Sequence, residues 1–391
     1  MLASTVRVTR DLDAAEEAVQ DAYVQALRTW ARDGVPAEPI AWLRTVARRL
    51  ALNTLRRRET LATKLPLLVE PEGVDMAIPE AFPDDRLRLI FTCCHPALSR
   101  EAQVALTLRL VCGVETPDVA RAFLVPEATM AARITRAKKK IATARIPYAV
   151  PSIEDLPARV EVVLTVVHLL YTTGHAAPSG RDLVRDELTD RAVDLSRMLR
   201  ALLPDEREVG GLLALLLVHQ ARRATRTDEQ GNLIRLPDQD RTRWDRELIA
   251  EADRLVTVAL TAGPPGRFTL QAAIATLHAH APAYDRTDWP QILSLYDELM
   301  RRWPSPVVAL NRAVVVAEVD GPAAALAEVE ALAADGRLAG YPYLPATRAE
   351  LLHRLGRVAE AADQYRTALT LTDNEAERAF LRGRLRPSAP D

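Results

Sequence analysis

Aromatic side chains make up only 5% of the 391 residues. Alternating stretches rich in aromatic and β-branched residues are correspondingly hard to find, which argues against a sheet-based fold. Cysteine is scarcer still. Cys93, Cys94 and Cys112 are the only three, too few for a disulfide framework, and they fit a reducing cytosol. No apolar run approaches the ~20 residues of a membrane span; the stretch 210–218 is among the longest. The opening MLASTVRVTRDLD has no apolar signal-peptide core. The expectation is a cytoplasmic chain with no membrane association. A dominant charge is missing too: 51 basic side chains meet 53 acidic ones, a net charge of −2. Taken whole, that balance speaks against a nucleic-acid binder.

The average conceals an asymmetry. Residues 1–150 carry 22 basic and 18 acidic side chains, whereas 151–391 carry 29 and 35. The length suggests two or three domains at roughly 150 residues each. A hydrophobic content of 48% with abundant Ala and Leu predicts an all-α globular chain. Residues 12–31 form the first clear helix, with Ala15, Val19, Ala22, Tyr23, Ala26, Leu27 and Trp30 at three- and four-residue spacing. Gly34, Pro36 and Pro39 break it, and a second helix runs from about Ile40 to Arg58. A Pro-rich, acidic linker follows over 61–84. Another helical unit covers 85–145, interrupted at Pro96, Gly113 and the 124–126 turn. Beyond Ile153 the chain reads as helix after helix, with a short turn excursion before Trp244. Near the end, LGRVAEAADQYRTAL places Gly356, Ala361, Tyr365, Ala368 and Leu369 where a tetratricopeptide repeat puts its small and aromatic packing residues. GPAAALAEVEAL and DWPQILSLYDELMRRWP are weaker copies at a near-34-residue period.

Two short segments concentrate the positive charge. AWLRTVARRLALNTLRRR, residues 41–58, holds six arginines and no acid, over an apolar stripe of Trp42, Val46, Leu50 and Leu55. Arginine forks suit phosphates and base edges. Residues 121–145 hold seven basic side chains and one acid, Glu127. Here TPDVARAFLVPEATMAARITRAKKK has Thr116 as a cap, Pro117 opening a helix, a turn at 124–125, and Ala120, Val125 and Ile134 at helix-turn-helix spacing. The exposed face of its second helix carries Glu127, Thr129, Arg133 and Arg136, and Lys138, Lys139 and Lys140 follow as phosphate neutralisers.

Two basic helical elements around an acidic Pro-rich linker resemble an extracytoplasmic-function sigma factor, a member of the sigma-70 family. DLDAAEEAVQDAYVQALRTW is similar to the region-two helix that docks on RNA polymerase. AWLRTVARRLALNTLRRR resembles the helix that reads the −10 element. The 85–147 segment, with DDRLRLIFTCCHPALS, resembles region four of a subgroup with a tetratricopeptide-like C-terminal extension. The resemblance implies region two over 1–60, a linker over 61–84, region four over 85–147 and an extension over 148–391, repeat-like from about 268. It implies core RNA polymerase and promoter DNA as partners, no cofactor and no catalysis. Glu16, Glu17, Gln20 and Asp21 would face the polymerase. Arg44, Arg48, Arg49, Leu52, Asn53 and Arg56 would meet the −10 strand, where a flipped base can be held. Glu127, Thr129, Ala132, Arg133 and Arg136 would enter the −35 major groove. The extension would contact the sigma regions or another regulator. In two respects the chain departs from the pattern: Arg49 and Asn53 stand where the family often has Asn and Asp, and the chain starts inside the helix that usually precedes DLD.

Other constellations carry less. Cys93, Cys94 and His95 are adjacent, and consecutive helical side chains diverge, so packing is the expected role and not metal binding. The remaining histidines accompany no nucleophile and orienting acid. Two rival readings are a helix-turn-helix regulator with a helical sensor domain and a repeat-type adaptor. The first binds operators without polymerase; the second has no affinity for DNA.

Overall fold

The structure is a computed structural model that describes residues 1–64, 85–123, 125–152, 154–177 and 179–385. The chain is all-α, with eighteen α-helices and two two-residue strands among the described residues. It divides into two compact units, 1–166 and 167–391.

The first unit opens with α1 (Leu2–Thr9), α2 (Leu12–Asp33) and α3 (Pro39–Lys64). Asp11 caps α2 by accepting from the Asp13 and Ala14 amides, which satisfies donors left open at the first turn. Gly34, at φ 83°, ends it. The buried stripe of α2 is made of alanines: Ala15, Ala18, Ala22 and Ala26. Their small side chains let α3 approach closely, bringing Leu43, Val46 and Ala47 against Ala22 and Ala26. Trp30 and Trp42 pack at 5.5 Å beside this seam. Tyr23 and Leu27, expected inside, lie outside at 52% and 75% exposure. They follow the alanine stripe by one position, about 100° around the helix, and so face away from α3. The third helix continues past Arg58 because the sequence offers no breaker before Pro66.

Four helices then build the second half of this unit: α4 (Asp85–Cys93), α5 (Arg100–Leu110), α6 (Thr116–Ala122) and α7 (Glu127–Thr143). The Ser99 hydroxyl caps α5, which is buried over nearly its whole length. Gly113, at φ 69°, lets the chain turn into α6. Glu115 takes the cap position expected for Thr116, and Thr116 and Pro117 are the first two helical residues. Val119, Ala120, Met130 and Ile134 close the angle between α6 and α7. The Tyr148 hydroxyl lies 2.8 Å from the carbonyls of both Ala3 and Asp85, tying this half to α1. Cys93 and Cys94 are sealed in the core, and burial pushes the Cys94 thiol up to about 12.

α8 (Leu156–His175) runs across the boundary into the second unit. There α9 (Asp186–Leu202), α11 (Arg246–Thr261) and α12 (Arg267–His280) surround α10 (Arg207–Ala221), whose residues 209–218 are all buried. The apolar run noted in the sequence is thus a core helix. α10 meets α12 at Gly211, where a Cβ would fall 2.6 Å from the Thr269 amide nitrogen. The Glu208 carboxylate caps α12 from outside, accepting from the Phe268 and Thr269 amides. The excursion before Trp244 is an isolated antiparallel bridge, Thr227 to Leu233.

From there each helix packs on the next in sequence: α13 (Trp289–Arg302), α14 (Pro306–Val319), α15 (Pro322–Asp335), α16 (Tyr343–Arg354), α17 (Val358–Leu371) and α18 (Glu375–Leu385), most closely α14 on α15 and α16 on α17. Ala361, Tyr365 and Ala368 pack in the shared core of this array. A two-residue parallel ladder, Ser179–Gly180 with Asp373–Asn374, joins the array's end to the start of the unit.

Candidate nucleic-acid interface

The outer face of α3 follows from its inner one. With Leu43, Val46 and Ala47 turned to α2, four-residue steps put Arg44, Arg48, Leu52 and Arg56 on one exposed stripe, with Arg49 and Asn53 beside it. All six residues expected at the −10 strand are exposed on this one surface. Arg44 and Arg48 have no carboxylate partner among the described residues. The Arg49 guanidinium reaches only Gln25 Oε1, at 3.5 Å. The side chains of Arg57 and Arg58, the linker from 65 to 84, and Leu124 lie outside the described residues.

The outer face of α7 is set in the same way. Met130, Ile134, Ala137 and Ile141 point inward. Glu127, Thr129, Ala132, Arg136, Lys139 and Lys140 are exposed, and Arg133 is half-buried. The Arg133 guanidinium sits 5.7 Å over the Phe123 ring at the end of α6. A cation is attracted to a ring face, so this contact restrains the fork.

One of the basic residues singled out in the sequence behaves differently. Lys138 Nζ bonds the Glu16 carboxylate and lies 3.1 Å from Asp13 Oδ1 of α2. Burial pulls its pKa down, and the two carboxylates outweigh burial and raise it. The structure therefore joins Glu16 and Lys138, which the sequence assigned to different partners. Glu17, Gln20 and Asp21 remain exposed on α2.

Sequence reasoning missed the apolar part of that surface. Tyr23, Val24 and Leu27 are exposed next to the acids, and Ile40, at the start of α3, is 69% exposed. Large apolar side chains grouped in the open mark a surface that meets another molecule. The signal was available in the run of alanines at 15, 18, 22 and 26, which already fills a buried stripe.

Comparison with known proteins agrees with this geometry. Residues 2–60 match Sigma-70 region 2 and residues 88–141 match Sigma-70, region 4. Residues 159–260 match a family of unknown function, DUF6596. An uncharacterized protein of Rhizobium meliloti (strain 1021) is 43% identical over 98% of this chain and 92% of its own length. No solved structure matches the chain. With its two basic helices falling inside the matched regions, the chain belongs to the sigma-70 family, as an extracytoplasmic-function-type sigma factor with a C-terminal extension.

Proposed function

We propose that this sigma factor directs core RNA polymerase to promoters whose −10 strand is held by the exposed face of α3 and whose −35 groove takes α7. The outer face of α2, with Glu17, Gln20, Asp21 and the apolar side chains of Tyr23 and Leu27, meets the polymerase. The extension regulates initiation, through the sigma regions or another regulator. The work is done in the cytoplasm without cofactor or catalysis of its own.

One observation carries this reading. Two separate helices present basic faces with uncompensated cations, beside an exposed face of mixed acidic and apolar character on α2. Phosphate recognition needs the first two, and protein docking suits the third. The Lys138–Glu16 pair adds a condition: it must part before α7 offers Lys138 to phosphate and α2 offers Glu16 to polymerase.

The test is reconstitution. The full chain should co-elute with core polymerase and produce transcripts from a defined promoter that core enzyme alone ignores. Binding to DNA with no association with core enzyme would overturn the reading in favour of a helix-turn-helix regulator.

A further inference from the structure

The second unit contains a cavity of about 740 Å3, walled by the loop after α10 and by helices α12, α13, α14, α16, α17 and α18. Its volume is that of a site for a small organic molecule. Much of its wall is aromatic. Trp289 takes the edges of His278 and Tyr284, at 5.2 and 5.0 Å, and Tyr296, Tyr343 and Phe380 extend this surface.

The charges in the wall are unequal in their needs. Glu318 is paired with Arg354 at 2.7 Å. Glu350 is paired with Arg384 and accepts from the Tyr365 hydroxyl. Glu377 accepts from the hydroxyls of Tyr343 and Thr372. Arg226 lines the same cavity and donates to the His175 carbonyl, and no carboxylate pairs with it among the described residues.

Behind Arg226 stands a second cation in the same condition. Arg222 is bonded to the His219 ring, and its Nε is buried with no partner. Burial holds both guanidinium groups below their usual range, Arg222 at about 10. The two also repel, and Glu377 is a carboxylate whose field steadies Arg226. Buried charges are ordinarily paired. Here two adjacent cations have no paired carboxylate among the described residues, and the side chain of the one facing the cavity is bonded there to a carbonyl. Arginine binds planar acidic groups through just such a fork.

We propose that this cavity binds a small amphiphilic organic anion, its acidic head on Arg226 and its aromatic or hydrocarbon body against the wall around Trp289. The site would let the extension respond to a metabolite. Binding itself does not depend on the promoter-directing role, and it can be measured without polymerase or DNA.

The experiment titrates the full chain with anilinonaphthalenesulfonate, an aromatic anion, and with phenylnaphthylamine, its uncharged counterpart, reading probe fluorescence. Arg226→Gln should weaken the sulfonate about tenfold, the loss of one charge-assisted contact, and leave the neutral probe unchanged. Glu377→Gln keeps a hydroxyl acceptor and removes the competing charge, so it should tighten sulfonate binding. Val314→Trp, at a cavity position 39% exposed, should displace both probes and leave folding intact. If Arg226→Gln fails to fold, the opposite-sign Glu377 variant and the Trp block decide the matter alone. The proposal is overturned if sulfonate affinity ignores the charge changes, or if both probes still bind after the Trp block.

Discussion

The two units differ in where their uncompensated cations lie. In the second unit many surface cations are committed internally. Arg312 lies between Asp297 and Glu328, Arg197 pairs with Glu251, Arg348 with Glu330, and Arg357 with Glu360. In the first unit Arg44, Arg48, Arg136, Lys139 and Lys140 are exposed and pair with no carboxylate among the described residues. A cation satisfied within its own fold has little left to offer a phosphate, and an uncompensated one is available to it. Near-neutral net charge is therefore compatible with DNA binding when uncompensated cations are gathered on two helix faces. Two residues stand apart from this pattern. Lys138, on one of those helices, is engaged within the first unit, and Arg226 lines a cavity of the second with no paired carboxylate among the described residues. They sit where the fold would have to change on binding, or where something would have to be bound.

The contrast extends to buried histidine, and acid should expose it most strongly. His168, His175, His219 and His278 all lie in the second unit, and burial lowers each of them, His168 and His278 to about 4. The unfolded chain takes up these protons near pH 6.5, and the folded unit resists them well below that, at His168 and His278 until about pH 4. Stability is therefore complete above pH 6.5 and falls as the pH drops toward 4. At about 1.4 kcal/mol per pH unit per site, the cost at pH 5 is several kcal/mol. The first unit holds one histidine, His95, which is only partly buried. Calorimetry of the full chain at pH 7 and pH 5 should show the second unit's transition falling much further. Equal shifts in both transitions would remove this half of the comparison.

The next largest effect separates reading from neutralising. Arg133→Ala should weaken binding to the correct −35 sequence by ~1–3 kcal/mol and relax preference at that position. Lys139→Ala should weaken all sequences alike and reduce the salt slope by about one. Gel-shift titrations over a salt series on matched and scrambled DNA distinguish them. If both variants behave alike, the faces of α7 do not divide labour as described.

A third prediction concerns the apolar surface beside the acids. Leu27→Asp should lower affinity for core polymerase about tenfold, as expected for a contact near the centre of an interface, with no change in melting temperature. A drop in melting temperature with unchanged polymerase affinity would return Leu27 to the core. The smallest effect lies in the ion pairs. A double-mutant cycle on Lys138 and Glu16, whose side chains are 16% and 18% exposed, should give a coupling of about 1 kcal/mol or more. The exposed Arg357–Glu360 pair should give a much smaller coupling. Equal couplings would show the first-unit pair to be an ordinary surface contact.

Much of the fold is written in local spacing. The α3 and α7 faces, the breaks at Gly34 and Gly113 and the near-34-residue period of the array all follow from residues close in sequence. The six −10 candidates share one face because four- and five-residue spacing dictates it. What spacing does not encode is which partner each helix meets. On α2 a stripe of alanines wins the buried face over the more hydrophobic Tyr23 and Leu27, because close helix approach favours small side chains. Lys138 meets Glu16 through the packing of two distant segments. Arg226 became notable only once the carboxylates of its cavity proved to be bonded to other groups, and a list of side chains cannot show that.

Stacked helical repeats ordinarily fray from a free end, since each repeat leans only on its neighbours. The ladder at residues 373–374 alters this for the second unit. Asn374 is fully buried; its amide donates to the carbonyls of Ala177 and Asp182, and its own oxygen accepts from the amides that begin α18. A single side chain thus latches the last helix of the array to the loop between α8 and α9. The end of the array is then not free, so loosening there must also break contacts at the start of the unit. Such an element gives up its order all at once and not by degrees.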